Sequence, residues 1–464
     1  MNYAVILAGG VGSRFWPFSR QLEPKQFMQI IGDKSLIQAT VLRLNGIVPA
    51  ENIYIVTNKA YGYEVRRQLE KFKMLPQNII LEPQGKNTAS AIGLCAKLIL
   101  AKDKNANLIV LPADHYISGM NGFKFTIKQA LEAARKDFLV TIGIKPKYPA
   151  AGYGYIKVSY QLSAISRQLY KVEKFLEKPP LDKAKIYFKD KRFFWNSGIF
   201  VWKAQVFYEQ IKRYLPGLHK TLEKINSQED IAVYWGEIHP VSVDYGIMEH
   251  AKNIALVKAE FSWTDLGSWD ALQQVFQKNK KGNIYQADCM DFDSRGICVF
   301  SRSNRLISTI GLENLIIADT PDALLICDRN KAEDVKKVVD SLQKKGRNEH
   351  IAHLTDKRPW GEYTVLHGAA GFKIKLIEIS AKKRLSLQSH KHRAEHWVVV
   401  SGVAKVTSDS AVRIVRSNQS IYIPKGVKHR LENPQNCPLK IVEVQTGAYL
   451  EEDDIKRFQD DFKR

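Results

Sequence analysis

No run of 18 apolar residues occurs anywhere in the 464-residue chain, so the sequence offers no candidate membrane-spanning helix. Cysteine is scarce. Cys95, Cys289, Cys298, Cys327 and Cys437 are scattered, odd in number and without a Cys-x-x-Cys pair. That argues against a disulfide framework or a zinc knuckle and fits reduced thiols in a cytoplasmic protein. Neither a basic segment nor a cleavage-type site precedes the first apolar run, so no signal peptide is read. Two familiar phosphate-binding signatures are also missing. Gly-x-x-x-x-Gly-Lys-Ser/Thr does not occur, and the third glycine of Gly-x-Gly-x-x-Gly would fall on Phe15. Charge of one sign is not concentrated either: the net charge is +22, but residues 353–464 hold 20 Lys and Arg against 13 Asp and Glu, so the excess is shared along the chain. With no clustered basic motif, no specific nucleic-acid partner is expected, and the bias suits phosphorylated small substrates.

What is present starts at Tyr3. The run Tyr3–Leu7 has the length and β-branched content of a buried parallel strand. Gly9, Gly10 and Gly12 follow, able to turn several backbone N–H groups toward an anion, and Arg14 and Lys25 add cations. A glycine turn after a strand is often only a tight connection; a strand, a glycine loop and two cations together suit a nucleoside triphosphate. Up to residue 142 the apolar pieces alternate between short strands and amphipathic helices, a βαβα rhythm that predicts a mostly parallel α/β sheet. Ligands of such sheets gather at the carboxyl ends of the strands. Leu111-Pro-Ala-Asp114 ends one of these strands, and a carboxylate there is either a turn residue or a ligand for Mg²⁺.

The string Leu7-Ala-Gly-Gly-x-Gly-x-Arg14 with Pro24-Lys25 closely resembles the signature of sugar-1-phosphate nucleotidylyltransferases. Trp16-Pro17-x-Ser19-Arg20 and Pro24-Lys25-Gln26-Phe27 are similar to its mannose-1-phosphate guanylyltransferase branch. The resemblance implies a Rossmann-like nucleotidyltransferase domain over residues 1–282, acting on GTP and mannose 1-phosphate with Mg²⁺. Leu7, Ala8, Gly9, Gly10, Gly12, Ser13, Asn87 and Thr88 would contact the nucleotide, and Arg14 and Lys25 would be catalytic. Asn87 or Thr88 is also a candidate helix cap, and Lys86 and Ser90 stand where arginine and proline are more usual. Gly154, Glu177, Lys178, Asn196 and Asp244 carry over as the sugar-phosphate pocket, with Glu249 orienting it. Asp114 and Asp265 carry over as metal carboxylates, the second also readable as a turn residue.

Residues 283–346 alternate short apolar pieces with Asn, Asp and Gly turns, which suits a small β-roll or β-helix-like spacer closed by a helix from Lys331 to Lys344. Residues 346–356 read as a polar linker without chemistry. Residues 347–464 form the last domain, where polar and apolar residues alternate and an all-β fold is expected. Three histidines in seven positions, beside a glutamate, suggest a metal. Regular strand alternation would put Gln388, His390 and His392 on one face.

Cupin spacing is met by Gln388, His390, Glu395 and Gly402, and by Pro424, Gly426, His429 and Asn433. Several segments, among them Arg358-Pro-Trp-Gly361, resemble the type II phosphomannose isomerase cupin, apart from Ala381-Lys382 where Pro-Gly is usual. The resemblance implies Gln388, His390, Glu395 and His429 as ligands of Zn²⁺, Co²⁺, Mn²⁺ or Fe²⁺, with His392 as a supporting or substrate residue. It implies a second activity on hexose 6-phosphates, with Arg393 or Arg430 holding phosphate or stabilising the reacting sugar. The other reading is a guanylyltransferase whose cupin binds sugar phosphate without catalysis. A homo-oligomer is left open.

Overall fold

The computed structural model describes residues 1–162 and 168–461. Contacts divide the chain into two units, residues 1–320 with 324–350, and residues 321–323 with 351–464.

In the first unit the apolar runs become strands β1 (Asn2–Leu7), β2 (Ile53–Asn58), β3 (Ile79–Glu82), β4 (Asn107–Pro112), β5 (Tyr116–Ser118), β6 (Leu139–Ile144), β7 (Tyr155–Gln161), β8 (Leu169–Leu176), β9 (Phe193–Lys203), β10 (Ile254–Lys258) and β11 (Ser262–Thr264). Nine of them form a sheet of order β3-β2-β1-β4-β9-β6-β10-β8-β7. β1 lies parallel between β2 and β4, whereas β9 runs antiparallel to both β4 and β6. Alternation along β1 explains why both faces are covered. Tyr3 and Val5 pack with one apolar cluster, Ala4 and Ile6 with the other. The first face is closed by helix Asn87–Leu100, the second by helices Leu36–Arg43 and Met120–Ala134. Ser35 and Gln38 form the reciprocal capping box that starts the Leu36 helix.

β5 and β11 stay outside this sheet and pair with each other, Tyr116 opposite Thr264. This small ribbon brings the loop after β4 beside a segment distant in sequence.

The spacer is a parallel coil. Ile284–Gln286, Cys298–Ser301 and Leu315–Asp319 stack in parallel, and Cys289–Phe292 lies parallel to Ile307–Ile310. Ile297, Val299 and Ile317 fill its centre. The helix that follows is shorter than expected, Val335–Lys344, because residues 329–334 form a tighter 3₁₀ turn.

The second unit is a β-sandwich of the cupin type. A six-stranded sheet and a five-stranded sheet face one another, joined by a core of Trp360, Ile377, Trp397, Val406, Leu431 and Ile441. The unusual Ala381-Lys382 turn is accommodated by a left-handed Lys382, φ +60°, whose N–H donates to the Gln435 carbonyl at 3.0 Å. Glycine takes that conformation at little cost. Lys382→Gly is therefore expected to raise the stability of this unit by about 1 kcal/mol, read as a higher denaturant midpoint; a lower midpoint contradicts this account of the turn.

Candidate active sites

The carboxyl ends of β1 and β4 are level, since the Ala113 N–H donates to the Leu7 carbonyl at 2.9 Å. The Ala8 carbonyl is held by Gln26 Nε2 at 3.0 Å and Thr57 Oγ1 at 2.9 Å, which fixes the entry to the glycine loop. Gly9 and Gly10 are exposed. Gly12 has φ +68°, and a Cβ there would lie 2.6 Å from Lys25 Cβ, so the turn requires glycine on two counts. Ser13 opens a short 3₁₀ turn and Arg14 is exposed at its edge.

Lys25 is placed differently from a free phosphate-binding cation. It is 4% exposed, and its ammonium donates to the Asp265 carbonyl at 2.8 Å and the Leu266 carbonyl at 3.0 Å while pairing with Asp114 Oδ2 at 2.8 Å. These three acceptors match the three N–H bonds of an ammonium. Burial alone would raise the Asp114 carboxyl, but Lys25 and His115 outweigh it and hold Asp114 below its ordinary value. The Asp265 carboxylate accepts from Tyr153 O–H at 2.8 Å and from the Gly267 N–H at 2.9 Å. Two half-exposed hard-oxygen groups, each anchored from behind, suit Mg²⁺ with phosphate and water completing its shell. Tyr153 escaped the sequence reading; its neighbour Gly154 was the visible signal.

The next cluster continues from Tyr153. A Cβ on Gly154 would meet Glu177 Oε2 at 2.5 Å, and the Gly154 carbonyl accepts from the Asn196 N–H at 2.8 Å. Lys178 pairs with Glu177 at 2.9 Å, and Asn196 Nδ2 donates to Asp244 Oδ1 at 2.9 Å. Burial, with Glu177 nearby, pushes Asp244 up to about 6. Gly154, Glu177, Lys178, Asn196 and Asp244 thus come together. Glu249 does not join them; it is exposed beyond the turn Asp244–Met248.

Asn87 and Thr88 correct the capping expectation. The helix begins at Asn87 itself, with Lys86 at the cap position and no side-chain cap, and Thr88 Oγ1 accepts from the Val243 N–H at 2.8 Å. The same segment opens on a group to which the sequence reading gave no role of its own. Glu82, at the end of β3, is buried with Oε1 unpartnered; its Oε2 lies 3.8 Å from a Cβ built on Gly9. Burial pushes its carboxyl up to about 7. A glutamate immediately before proline at a strand end was the signal for it.

In the second unit, Leu387–His390 and His429–Glu432 belong to one sheet and Arg393–Ser401 to the other, so the ligand candidates converge from both. His390 Nε2 lies 3.0 Å from Glu395 Oε1, and His429 Nε2 lies 3.6 Å from Glu395 Oε2. One ligand atom from each of the three fits within 4.8 Å of the others, and all three residues are buried. His429 Nδ1 faces the Val427 carbonyl at 2.9 Å, which leaves Nε2 with its lone pair, and that nitrogen has no partner. Burial lowers the His429 pKa, favouring the neutral ring that a metal requires. Gln388 stands directly opposite His429 in the strand pairing, with its Oε1 accepting from Ser386 Oγ at 2.9 Å. The donor set fits a divalent transition metal.

The glycine-histidine motif supports this arrangement: the Gly426 N–H donates to the His390 carbonyl at 2.7 Å, and Asn433 Nδ2 donates to the Ile379 and Cys437 carbonyls. His392 departs from the expectation. The strand ends at His390, so alternation stops, and His392 is exposed with its N–H on Asp454. Arg393 departs too. It is 2% exposed, and its guanidinium donates to Glu395 Oε1 at 3.0 Å and the Glu451 carbonyl at 3.1 Å, so it braces the carboxylate of a candidate ligand. Arg430 donates to Gln459 at 2.8 Å.

The pocket beside the cluster is lined by residues to which the sequence reading gave no role, among them Lys375, Glu443, Gln445, Arg358 and Arg457. Lys375 is buried and pairs with Glu452 at 2.8 Å. Glu443 accepts from Trp397 Nε1 at 3.2 Å and Gln445 Nε2 at 2.7 Å, and burial beside Glu395 raises its carboxyl.

The two centres define a nucleotidyltransferase joined through a β-helix-like coil to a metal-competent cupin. Family models match in the same order. The nucleotidyl transferase model covers residues 3–282, the MannoseP isomerase/GMP-like beta-helix domain 289–342, and the mannose-6-phosphate isomerase C-terminal model 345–460. The chain is 39% identical over 476 residues to the mannose-1-phosphate guanylyltransferase of Escherichia coli K12, covering 100% of this chain and 98% of that protein. It is 38% identical over 468 residues to the xanthan biosynthesis protein XanB of Xanthomonas campestris, covering 99% and 98%. A solved structure from Thermus thermophilus, described as a mannose-1-phosphate geranyltransferase, matches with a TM-score of 0.67 at 32% identity over 74% of this chain and 99% of that one. The chain belongs to the mannose-1-phosphate guanylyltransferase family. No helix among the described residues is long and apolar enough to cross a membrane.

Proposed function

We propose that residues 1–282 transfer GMP from GTP to mannose 1-phosphate, that residues 283–346 are the spacer, and that residues 347–464 interconvert fructose 6-phosphate and mannose 6-phosphate. In the transfer, an oxygen of the sugar phosphate attacks the α-phosphorus in line. The bond from that phosphorus to the bridging oxygen breaks, and pyrophosphate leaves. The nucleophile is already an anion, so positioning and charge neutralisation carry the rate. The observation that supports this reading is Lys25, which ties the Asp114 and Asp265 loops together beside the glycine loop. Leu7 to Ser13, with Asn87 and Thr88, cradle the nucleotide, Arg14 faces its phosphates, and the Gly154–Asp244 cluster takes the sugar phosphate. When held by Asp114 and Asp265, Mg²⁺ withdraws charge from the reacting phosphate. These substrates put the enzyme in the cytoplasm. GTP, ATP, UTP and dTTP offered in competition with several sugar 1-phosphates are expected to yield GDP-mannose as the main product. A different nucleotide or sugar in that product overturns the assignment.

Glu82 serves the base in this reading. Guanine presents N1–H and its amine side by side, a pair of donors that a buried carboxylate accepts and that adenine lacks. With its carboxyl pushed up to about 7, the charged acceptor grows as pH rises through that value, so KM for GTP falls over that range. The stability contribution has the opposite sign: a folded pKa above the unfolded value means the free protein loses stability as pH rises through about 7. Glu82→Gln is expected to raise KM for GTP about 10- to 100-fold and to flatten its pH dependence. An unchanged profile removes Glu82 from base recognition.

In the cupin, Gln388, His390, Glu395 and His429 hold a divalent transition metal, and Arg393 steers Glu395. When bound, the metal polarises the sugar carbonyl. Lys375, Arg358 and Arg457 supply positive charge for the phosphate of a hexose 6-phosphate.

A further inference from the structure

The signature flank Trp16-Pro-Phe-Ser-Arg20 is buried throughout, whereas Gly9 and Gly10 of the glycine loop are exposed. Arg20 is 1% exposed; its Nη1 donates to the Glu349 carbonyl, its Nη2 reaches Thr320 Oγ1 at 3.4 Å, and the guanidinium lies 5.5 Å from the Trp16 ring centre. Trp16 Nε1 donates to the same Glu349 carbonyl at 2.8 Å, and the Gln21 N–H donates to the His350 carbonyl at 3.0 Å. Donors from three loop residues therefore grip two consecutive carbonyls of the short turn Asn348–His350, which reads in sequence as bare linker. From the same stretch, Ser19 Oγ donates to the Gly12 carbonyl at 2.7 Å, and the Trp16 carbonyl accepts from Trp269 Nε1 at 2.9 Å. Contacts are thus continuous from residue 349 to the glycine turn that packs on Lys25.

A glycine-rich loop loses much conformational freedom when it closes on a ligand, and anchoring it beforehand removes that cost from binding. Burying a guanidinium is itself costly unless its N–H groups find acceptors, and here the Glu349 carbonyl of the distant turn and Thr320 Oγ1 supply them.

We infer that the turn Asn348–His350 is a positioning element of the transferase loop, gripped by Arg20 and Trp16. The unit that performs nucleotidyl transfer then extends to His350 and does not end near residue 282. This rests on the transferase reading above. Arg20 touches no substrate and acts by fixing the backbone from Gly12 to Lys25.

In the full-length chain, Arg20→Met is expected to raise KM for GTP about tenfold while moving KM for mannose 1-phosphate less than about twofold, with Arg20→Lys recovering only part. A merely structural Arg20 would lower the amount of active enzyme, and so kcat, with both KM values in place; that result overturns the proposal. Should Arg20→Met fail to fold, a specific protease site inserted after Lys345 and cut after folding decides. KM for GTP is expected to rise on cutting there and to stay fixed when the site follows His353. Equal KM values in cut and uncut enzyme overturn the proposal. Wild type in the same assay separates the two readings, since a wild type that forms no GDP-mannose sinks the transferase assignment itself, and an active wild type with unmoved variants sinks only the positioning role.

Discussion

Lys25→Ala is expected to lower GDP-mannose formation about 10³-fold, measured as pyrophosphate release under saturating GTP and mannose 1-phosphate. Three acceptors lose their donor at once: the Asp114 carboxylate and the carbonyls of Asp265 and Leu266. Each buried acceptor left without a partner costs about 1–3 kcal/mol, and the two carboxylate-bearing loops lose the group that sets their separation. Asp114 also loses the cation that holds its pKa down. Lys25→Arg is not expected to rescue the enzyme, because the site is closed around a compact ammonium and a planar fork has no room at 4% exposure. Adding Mg²⁺ should not restore the rate, since the defect lies in loop geometry. Unchanged turnover in Lys25→Ala would remove Lys25 from the transferase mechanism.

How much of this was legible depended on whether a residue's role is local. Tyr3–Leu7 and the glycine turn are set by side chains within a few positions, and the strand edges fall within about two residues of those read from apolar periodicity. The resemblance to the cupin family implied Gln388, His390, Glu395 and His429 together, and the fold brings His390, Glu395 and His429 from three strands to one point. Lys25 was recognisable as a residue and not in its contacts, since two of its acceptors lie 240 and 241 positions away, next to the ribbon strand β11 that pairs with β5. His392 misled because alternation holds only while the strand lasts, and this one stops at His390. Lys375 and Glu443 did leave a trace. Lys375 shares a strand face with Ile377 and Ile379, and Glu443 and Gln445 share one with Leu439 and Ile441. A polar group on the apolar face of a strand is expensive to bury and so marks a lined pocket. Arg20 was visible as part of a signature string and not in its contacts, because its acceptors, the Glu349 carbonyl and Thr320 Oγ1, lie 329 and 300 positions away.

His429→Ala is expected to abolish isomerisation of fructose 6-phosphate and to lower the content of tightly bound transition metal from about one per chain to near zero, while GDP-mannose formation continues at the wild-type rate. The argument runs through His429 Nε2, which is buried, unpartnered and aimed at Glu395 with its other nitrogen facing the Val427 carbonyl. Without a metal, that nitrogen is a desolvated lone pair with nothing to accept from, an arrangement a fold does not keep for stability alone. Removing the imidazole leaves His390 and Glu395 beside a void, with Arg393 still neutralising Glu395, so the sandwich is expected to fold while the metal site fails. Glu395→Gln should act similarly on metal content and additionally weaken the Arg393 brace, which shows as a lower thermal midpoint for this unit. Metal analysis and the isomerase assay together separate the two readings of the cupin. Wild type that binds metal and hexose 6-phosphate without interconverting the sugars identifies a binding module. Interconversion lost together with the metal in His429→Ala identifies a second enzyme on the same chain.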